Sequence, residues 1–340
     1  MEGINSTEIS LSDDVLVNTT VDLIYQRCGN RTHFRDTDAS KIGIPVLLGI
    51  VFVVGLLGNM LVLYVVCKSK RISYLFFNLA LSHLLLVLVC VPLQAARFAS
   101  GYTVYISNPM CKLGYFLMYT TTGVSVNCMV AVLVLKYIAI TWPISCEISR
   151  RHTAITAVGL WIVLGIINAP LLVYYKETGE KQCELQPSSD AQYYSFIVLT
   201  FGLDFALPVL VFMCITMSVM GKLKMTAIQV ENRLAMAANK RLVILVLIIF
   251  VLFVVTWGPF HFSYLFAIFA SHIYNPFCPS PETVGLNFMI VLAFSNSCLN
   301  PVVYSLASIE FRRAFQATVN RWRSVTHTAE ETELTRVAEK

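Results

Sequence analysis

Apolar positions along this chain come in long unbroken runs, neither alternating residue by residue nor confined to one helical stripe. Seven runs stand out: Ile42–Cys67, Tyr74–Ala96, Leu113–Leu135, Thr153–Tyr175, Ala191–Gly221, Leu242–Ile273 and Thr283–Ile309. Asp204 is the one acid inside them, and they hold no lysine or arginine. A hydrocarbon core of about 30 Å asks for roughly 20 apolar residues in a helix, and each run supplies that length. The alternation of an outer-membrane barrel is missing. A backbone in lipid must satisfy its own hydrogen bonds, so the pattern predicts an all-α membrane protein, a seven-transmembrane helix bundle.

Composition agrees. Of the 340 residues, 56% are hydrophobic and 13% charged, about half the charge of an ordinary soluble domain. The charges that remain give an orientation. Basic residues gather in alternate connections: Lys68, Lys70 and Arg71; Arg150 and Arg151; Lys222, Lys224, Arg233, Lys240 and Arg241; then Arg312, Arg313, Arg321 and Arg323. The positive-inside rule makes those connections and the C-terminus cytoplasmic. The net charge of +5 is modest, and its placement assigns it to the membrane face, so no nucleic-acid partner is expected. Asn5, Asn18 and Asn30 are the Asn-x-Ser/Thr glycosylation acceptors, all ahead of the first run and expected outside. On the same outer side fall Cys28, Cys111, Cys183 and Cys278, an even number in an oxidising compartment. The start lacks a basic-then-apolar leader, so the first helix is expected to act as signal anchor. Three regions follow: 1–40, a glycosylated extracellular N-terminus; 41–309, the seven-transmembrane domain; and 310–340, a short amphipathic helix eight with a cytoplasmic tail. Ser324, Thr326, Thr328, Thr332 and Thr335 make that tail a candidate for phosphorylation.

Polar side chains inside lipid are expensive and invite a functional reading. Asn59, His83, Ser125, Asn296, Ser297 and Asn300 sit near the middle of their helices. Two readings stand: a functional hydrogen-bonded core, or helix–helix glue at under about 1 kcal/mol per contact. Nothing else offers chemistry. There is no metal-ligand cluster, no nucleophile–base pair and no phosphate loop at readable spacing, so neither enzyme, cofactor nor metal is expected.

Asn300-Pro301-Val302-Val303-Tyr304, reached through Asn296-Ser297, resembles the Asn-Pro-x-x-Tyr end of helix seven in rhodopsin-like G-protein-coupled receptors. Thr256-Trp257-Gly258-Pro259 resembles the Cys-Trp-x-Pro bend of their helix six. Asn59, Trp161, Pro208 and the Phe311–Phe315 run look like the corresponding marks of helices one, four, five and eight. The resemblance covers all seven runs in order. It implies a plasma-membrane receptor that passes an extracellular signal to a heterotrimeric G protein, with arrestin at the tail and membrane lipid around it. It also implies a Cys111–Cys183 bridge over the cavity mouth and, as in chemokine and angiotensin receptors, a Cys28–Cys278 bridge. Pro259 and Pro301 cannot donate to the helix ladder and leave hinges. With Trp257, Lys136, Tyr137, Asn300 and Tyr304 they form the expected coupling and switch set.

Departures from that pattern are specific. His83 stands where such receptors carry the helix-two acid, which with Ser125, Asn296, Ser297 and Asn300 would hold sodium; here the pocket is altered and expected to be sodium-insensitive. A neutral His83 bonded to Asn300 or Ser125 is the bland reading, and a proton site is the alternative. Leu135-Lys136-Tyr137 replaces Asp/Glu-Arg-Tyr, Thr216 replaces an inner tyrosine, and Asn239 offers no acidic latch. The loss of the acid points to basal signalling. The exchange of Arg's planar fork for Lys is not conservative and points to weak coupling.

For the ligand, Met118 argues against an amine and Phe294 against retinal. Glu2, Glu8, Asp13, Asp14, Asp22, Asp36 and Asp38 outnumber Arg27, Arg31 and Arg35 in the N-terminal arm, which suits steering of a basic peptide or chemokine-like protein; a merely solvated tail is the counter-reading. Val91-Pro92-Leu93-Gln94-Ala95 resembles galanin- and kisspeptin-type receptors. The resemblance places Gln94, Tyr115, Tyr119, Asp204, Trp257, His261, Leu286 and Ile290 around the cavity. Asp204, one turn outside Pro208, and His261, one turn outside Trp257, are expected to face the same cavity, either as a mutual pair or with Asp204 receiving a ligand cation. The competing reading of the whole chain is an atypical or virally encoded chemokine-receptor-like protein that scavenges ligand with little signalling.

Overall fold

The computed structural model describes residues 39–68, 74–100, 106–142, 150–177, 183–186, 188–226, 233–271, 282–307, 311–317 and 319–320. Seven helices among them are long and apolar enough to cross a membrane. They are α1 (Ile44–Lys68), α2 (Tyr74–Ala99), α3 (Asn108–Thr141), α4 (Arg150–Asn168), α5 (Asp190–Thr200, Phe201–Ala206 and Leu207–Thr226), α6 (Arg233–Ser271) and α7 (Glu282–Ala307). Residues 311–317 form a short helix, α8.

α3 is the central pillar, packed against α2, α4, α5 and α6, while α1 closes the bundle between α2 and α7. The outward faces stay apolar: Ile166, Leu210, Met217 and Leu306 are 70%, 63%, 65% and 71% exposed. Asn59, Asn78, Ser82, His83, Ser125, Asn296, Ser297 and Asn300 are all buried. Polar inside and apolar outside is the arrangement lipid selects.

Three π-helical segments stand where the sequence predicts plain helix or its start: Ala39–Gly43 leading into α1, Leu86–Cys90 in α2 and Phe201–Ala206 in α5. Each precedes a proline by one residue, Pro45 after Ile44, Pro92 after Val91 and Pro208 after Leu207. A proline takes one donor out of the ladder, and the wider turn accommodates the gap.

The fourth helix ends earlier than expected, at Asn168. Pro170 follows; a helical turn Leu171–Tyr174 then leads into β1 (Tyr175–Glu177), which pairs antiparallel with β2 (Cys183–Leu185). Cys183 of β2 is bonded to Cys111 in the first turn of α3, Cα atoms 5.6 Å apart. That bridge fastens the hairpin across the end of the bundle where α3 begins. Cys28 and Cys278, and the three glycosylation acceptors, lie outside the described residues. So do the side chains of Lys136, Asn239 and Leu286.

Candidate ligand and switch site

Proline in a helix frees the carbonyl four residues back, and here that carbonyl has a new partner. Pro301 cannot donate to Ser297, and the Ser297 carbonyl instead accepts from Asn59 Nδ2 at 2.9 Å, an amide that also donates to Gly55 at 2.8 Å. The approach needs Gly58: a Cβ there would stand 2.9 Å from the Pro301 ring. Cys298 Sγ adds a contact to the Val51 carbonyl at 3.2 Å. The α1–α7 seam is thus specified by a proline, a glycine and an asparagine.

Deeper in, His83 joins α2, α3 and α7. Asn300 Nδ2 lies 3.3 Å from Nδ1, and Ser125 Oγ lies 2.8 Å from Nε2. An amide nitrogen can only donate, so Nδ1 accepts, and Nε2–H donates to Ser125. Both ring nitrogens are occupied in one neutral tautomer. Asn296 Oδ1, Ser297 Oγ, Asn300 Oδ1 and Asn59 Oδ1 are buried acceptor atoms with no partner among the described residues. On the α4 side, Trp161 Nε1 donates to Asn78 Oδ1 at 2.6 Å while Asn78 Nδ2 donates to Cys128 Sγ at 3.0 Å, tying α2, α3 and α4.

At the end of the bundle under the hairpin, Tyr115 and Tyr175 stack at 3.8 Å with rings 11° apart. Arg97 Nη1 donates to the Tyr115 hydroxyl at 2.6 Å. Beneath this cover, Gln94, Tyr115 and Met118 border a small space of about 20 Å³ under the Cys111–Cys183 bridge, room for about one water. Arg97 and Tyr175 were not among the expected ligand residues. Arg97 was findable, because it lies one turn outside Gln94 at the end of an otherwise uncharged run. Tyr175 was not, because its position depends on the hairpin.

Lower on α6, Trp257 packs edge-on to Phe260 and Phe294 at 5.7 and 6.3 Å. His261 stacks on Phe205 at 5.0 Å, with Trp257 at 6.1 Å and Phe260 at 5.6 Å. Tyr119 meets Phe196 of α5 at 6.3 Å, and Ile290 packs against the core. Of the expected set, Gln94 therefore lies with Tyr115, Trp257 with His261, Tyr119 against Phe196, Ile290 against the core, and Asp204 apart.

The Asp204–His261 pair does not form. Both Asp204 oxygens and His261 Nε2 are buried without a partner. Phe205 takes the face toward α6, stacked on His261, and Asp204, the preceding residue of the same π-helical segment, points to α3, where a Cβ on Gly123 would be 3.3 Å from Oδ1.

At the opposite end, Tyr304 is 3% exposed, edge-on to Phe76 at 5.4 Å and against Phe311 of α8 at 5.9 Å. Tyr137 meets Trp142 at 6.3 Å. Among the described residues no group of three or more His, Cys, Asp or Glu is placed to hold a metal ion.

Residues 58–304 match the family described as 7 transmembrane receptor (rhodopsin family). Galanin receptor type 3 of Mus musculus is 30% identical over 296 residues, which cover 81% of this chain and 77% of that receptor. Galanin receptor 2a of Danio rerio is 29% identical over 286 residues, 80% of this chain and 77% of its own. Somatostatin receptor type 1 of Rattus norvegicus is 26% identical over 289 residues, 82% and 71% respectively.

Proposed function

The chain belongs to the rhodopsin family of seven-transmembrane receptors, and from that premise we propose that it is a cell-surface receptor for a peptide or small-protein ligand, signalling through heterotrimeric G proteins. One observation carries the reading: the similarity to galanin and somatostatin receptors, both receptors for peptides, extends over about four-fifths of this chain. The alternation of basic connections supports an extracellular N-terminus and cytoplasmic C-terminus. The acidic arm before Ser40 supports a basic ligand.

In this reading the ligand approaches the outer end, where Tyr175 covers Tyr115, and displaces that cover. Gln94, Arg97 and Tyr115 meet it first. Trp257 and Ile290 lie below, and a shift of Trp257 swings α6 about Pro259 while Asn300, Pro301 and Tyr304 rearrange in α7. A Cys28–Cys278 bridge would hold the N-terminal arm beside the third outer loop.

The test is a screen of basic peptides and chemokines on cells expressing the chain with a G-protein dissociation sensor. The expected result is dissociation by one peptide class, lost in Tyr115→Ala and Arg97→Ala at normal surface level. Leu135-Lys136-Tyr137 favours a second reading, a scavenging receptor with little coupling; ligand uptake without dissociation would establish it and defeat the first.

A further inference from the structure

Asn168, the last residue of α4, is 2% exposed, and its Nδ2 donates to the Leu164 carbonyl at 3.0 Å. That bond engages the amide nitrogen and leaves Oδ1 as an acceptor. No described residue donates to Oδ1, and this oxygen is not sealed off from contact as both Asp204 oxygens are. A buried amide oxygen left unanswered among membrane helices is costly, and the site favours whatever brings it a donor.

Asn168 lines a cavity of about 330 Å³ between α4 and α5, at the end of the bundle under the hairpin. Ligand cavities begin at roughly this size. Down its α5 side run Gln192, Ser195, Leu199 and Leu203 at helical spacing, polar toward the hairpin and apolar below. Ile167 and Leu199 form its lipid-facing edge, 38% and 58% exposed. Phe196, edge-on to Tyr119 of α3 at 6.3 Å and to Tyr174 at 6.1 Å, forms the wall toward α3. The cavity shares no lining residue with the Gln94–Tyr115 space. No lysine, arginine or histidine lines it, and the Asp204 oxygens are covered and turned to Gly123. It therefore offers a guest no charge of either sign. A charged guest would be buried without a counter-ion, and a plain hydrocarbon would leave Asn168 Oδ1 unanswered.

We propose that the α4–α5 cavity is a second ligand site, entered from the bilayer, which takes a neutral long-chain alcohol whose O–H donates to Asn168 Oδ1. The hydroxyl supplies the missing donor and carries little other polarity into an apolar chamber. Its alkyl body lies along Phe196, Leu199 and Leu203. Because that body comes from lipid, which is as apolar as the cavity wall, the hydroxyl's bond is what selects the guest. The site is separate from the peptide site proposed above and does not depend on that reading.

The test uses the full chain in lipid nanodiscs, photolabelled with a dodecanol that carries a diazirine, followed by peptide mapping. Labelling is expected to saturate, to fall within residues 167–203, and to be competed by dodecanol. Dodecyl methyl ether, which has no donor, and dodecylamine, which is charged, should each compete about fivefold less well, the worth of one hydrogen bond on the affinity scale. In Asn168→Leu the alcohol and the ether should compete equally. Ser195→Trp fills the cavity from its exposed rim while leaving Asn168 intact, and should lower labelling by about fivefold or more. Equal competition by the ether or better competition by the amine in the wild-type chain overturns the proposal. So does an undiminished preference for the alcohol in folded Asn168→Leu, or labelling that spreads over other helices without saturating. Where Asn168→Leu is not recovered folded, the wild-type competition and Ser195→Trp decide, and unchanged labelling in Ser195→Trp has the same force.

Discussion

Asn59 shows how one side chain repairs what another breaks. Pro301 strips the Ser297 carbonyl of its ladder donor, and Asn59 Nδ2 replaces it from the neighbouring helix. Asn59→Ala should leave that carbonyl buried and unpaired, at about 1–3 kcal/mol, read as a lower melting temperature of purified receptor; an unchanged melt would mean the contact is only glue. His83 leads to a second residue-scale expectation. With Nδ1 facing Asn300 and Nε2 facing Ser125, no lone pair remains for a hard cation, and the position carries no anion. Melting in sodium chloride should equal melting in a large organic cation's chloride at fixed ionic strength, and His83→Asp should introduce sodium-dependent stabilisation. Sodium stabilisation of the wild type that disappears in His83→Ala would refute this.

Among the elements, the α1–α7 seam is the clearest case of close approach. Gly58→Ala places a Cβ 2.9 Å from the Pro301 ring, so the helices must part, at about 1–3 kcal/mol of overpacking. Gly49→Ala on the same helix meets nothing within 4 Å and should be neutral or slightly stabilising, because alanine favours helix. Equal effects of the two on melting would rule out the seam as the cause. The seven spans were legible in the sequence because lipid imposes a length and a composition that no soluble helix shares, and the polar midplane residues were legible because lipid makes them rare. Ends and faces were less so. Nothing local to Tyr175 or Cys183 announces a hairpin, since its pairing is set by the bridge to Cys111. Counting one turn from Pro208 and one from Trp257 put Asp204 and His261 in the same cavity, but the π-segment Phe201–Ala206 changes the residue count per turn. The acid therefore faces α3 and the α4 cleft, and Phe205 has the place beside His261.

For the molecule as a whole, the decisive question is how the resting state is held. The family resemblance implies an acid beside the helix-three cation that restrains it while inactive; here that acid is Leu135, a partly buried residue packed against the core, followed by Lys136. Asn239, toward the inner end of α6, brings no charge of its own. Among the described residues, the contacts at this end are packing ones: Tyr137 against Trp142, Tyr304 between Phe76 and Phe311. Packing restrains without the directional penalty that separating an ion pair imposes, so the gap between resting and active arrangements should be small. A change of about 1.4 kcal/mol alters such a ratio tenfold. The expectation is measurable G-protein activation without ligand, and a several-fold fall in Leu135→Asp at matched surface level. Leu135→Asn, similar in size but uncharged, should leave basal activity much nearer the wild type, which separates a restored ion pair from simple loss of the leucine's packing. Basal activity that stays level or rises in Leu135→Asp, with Leu135→Asn unchanged, would show that the missing acid is not what loosens this receptor.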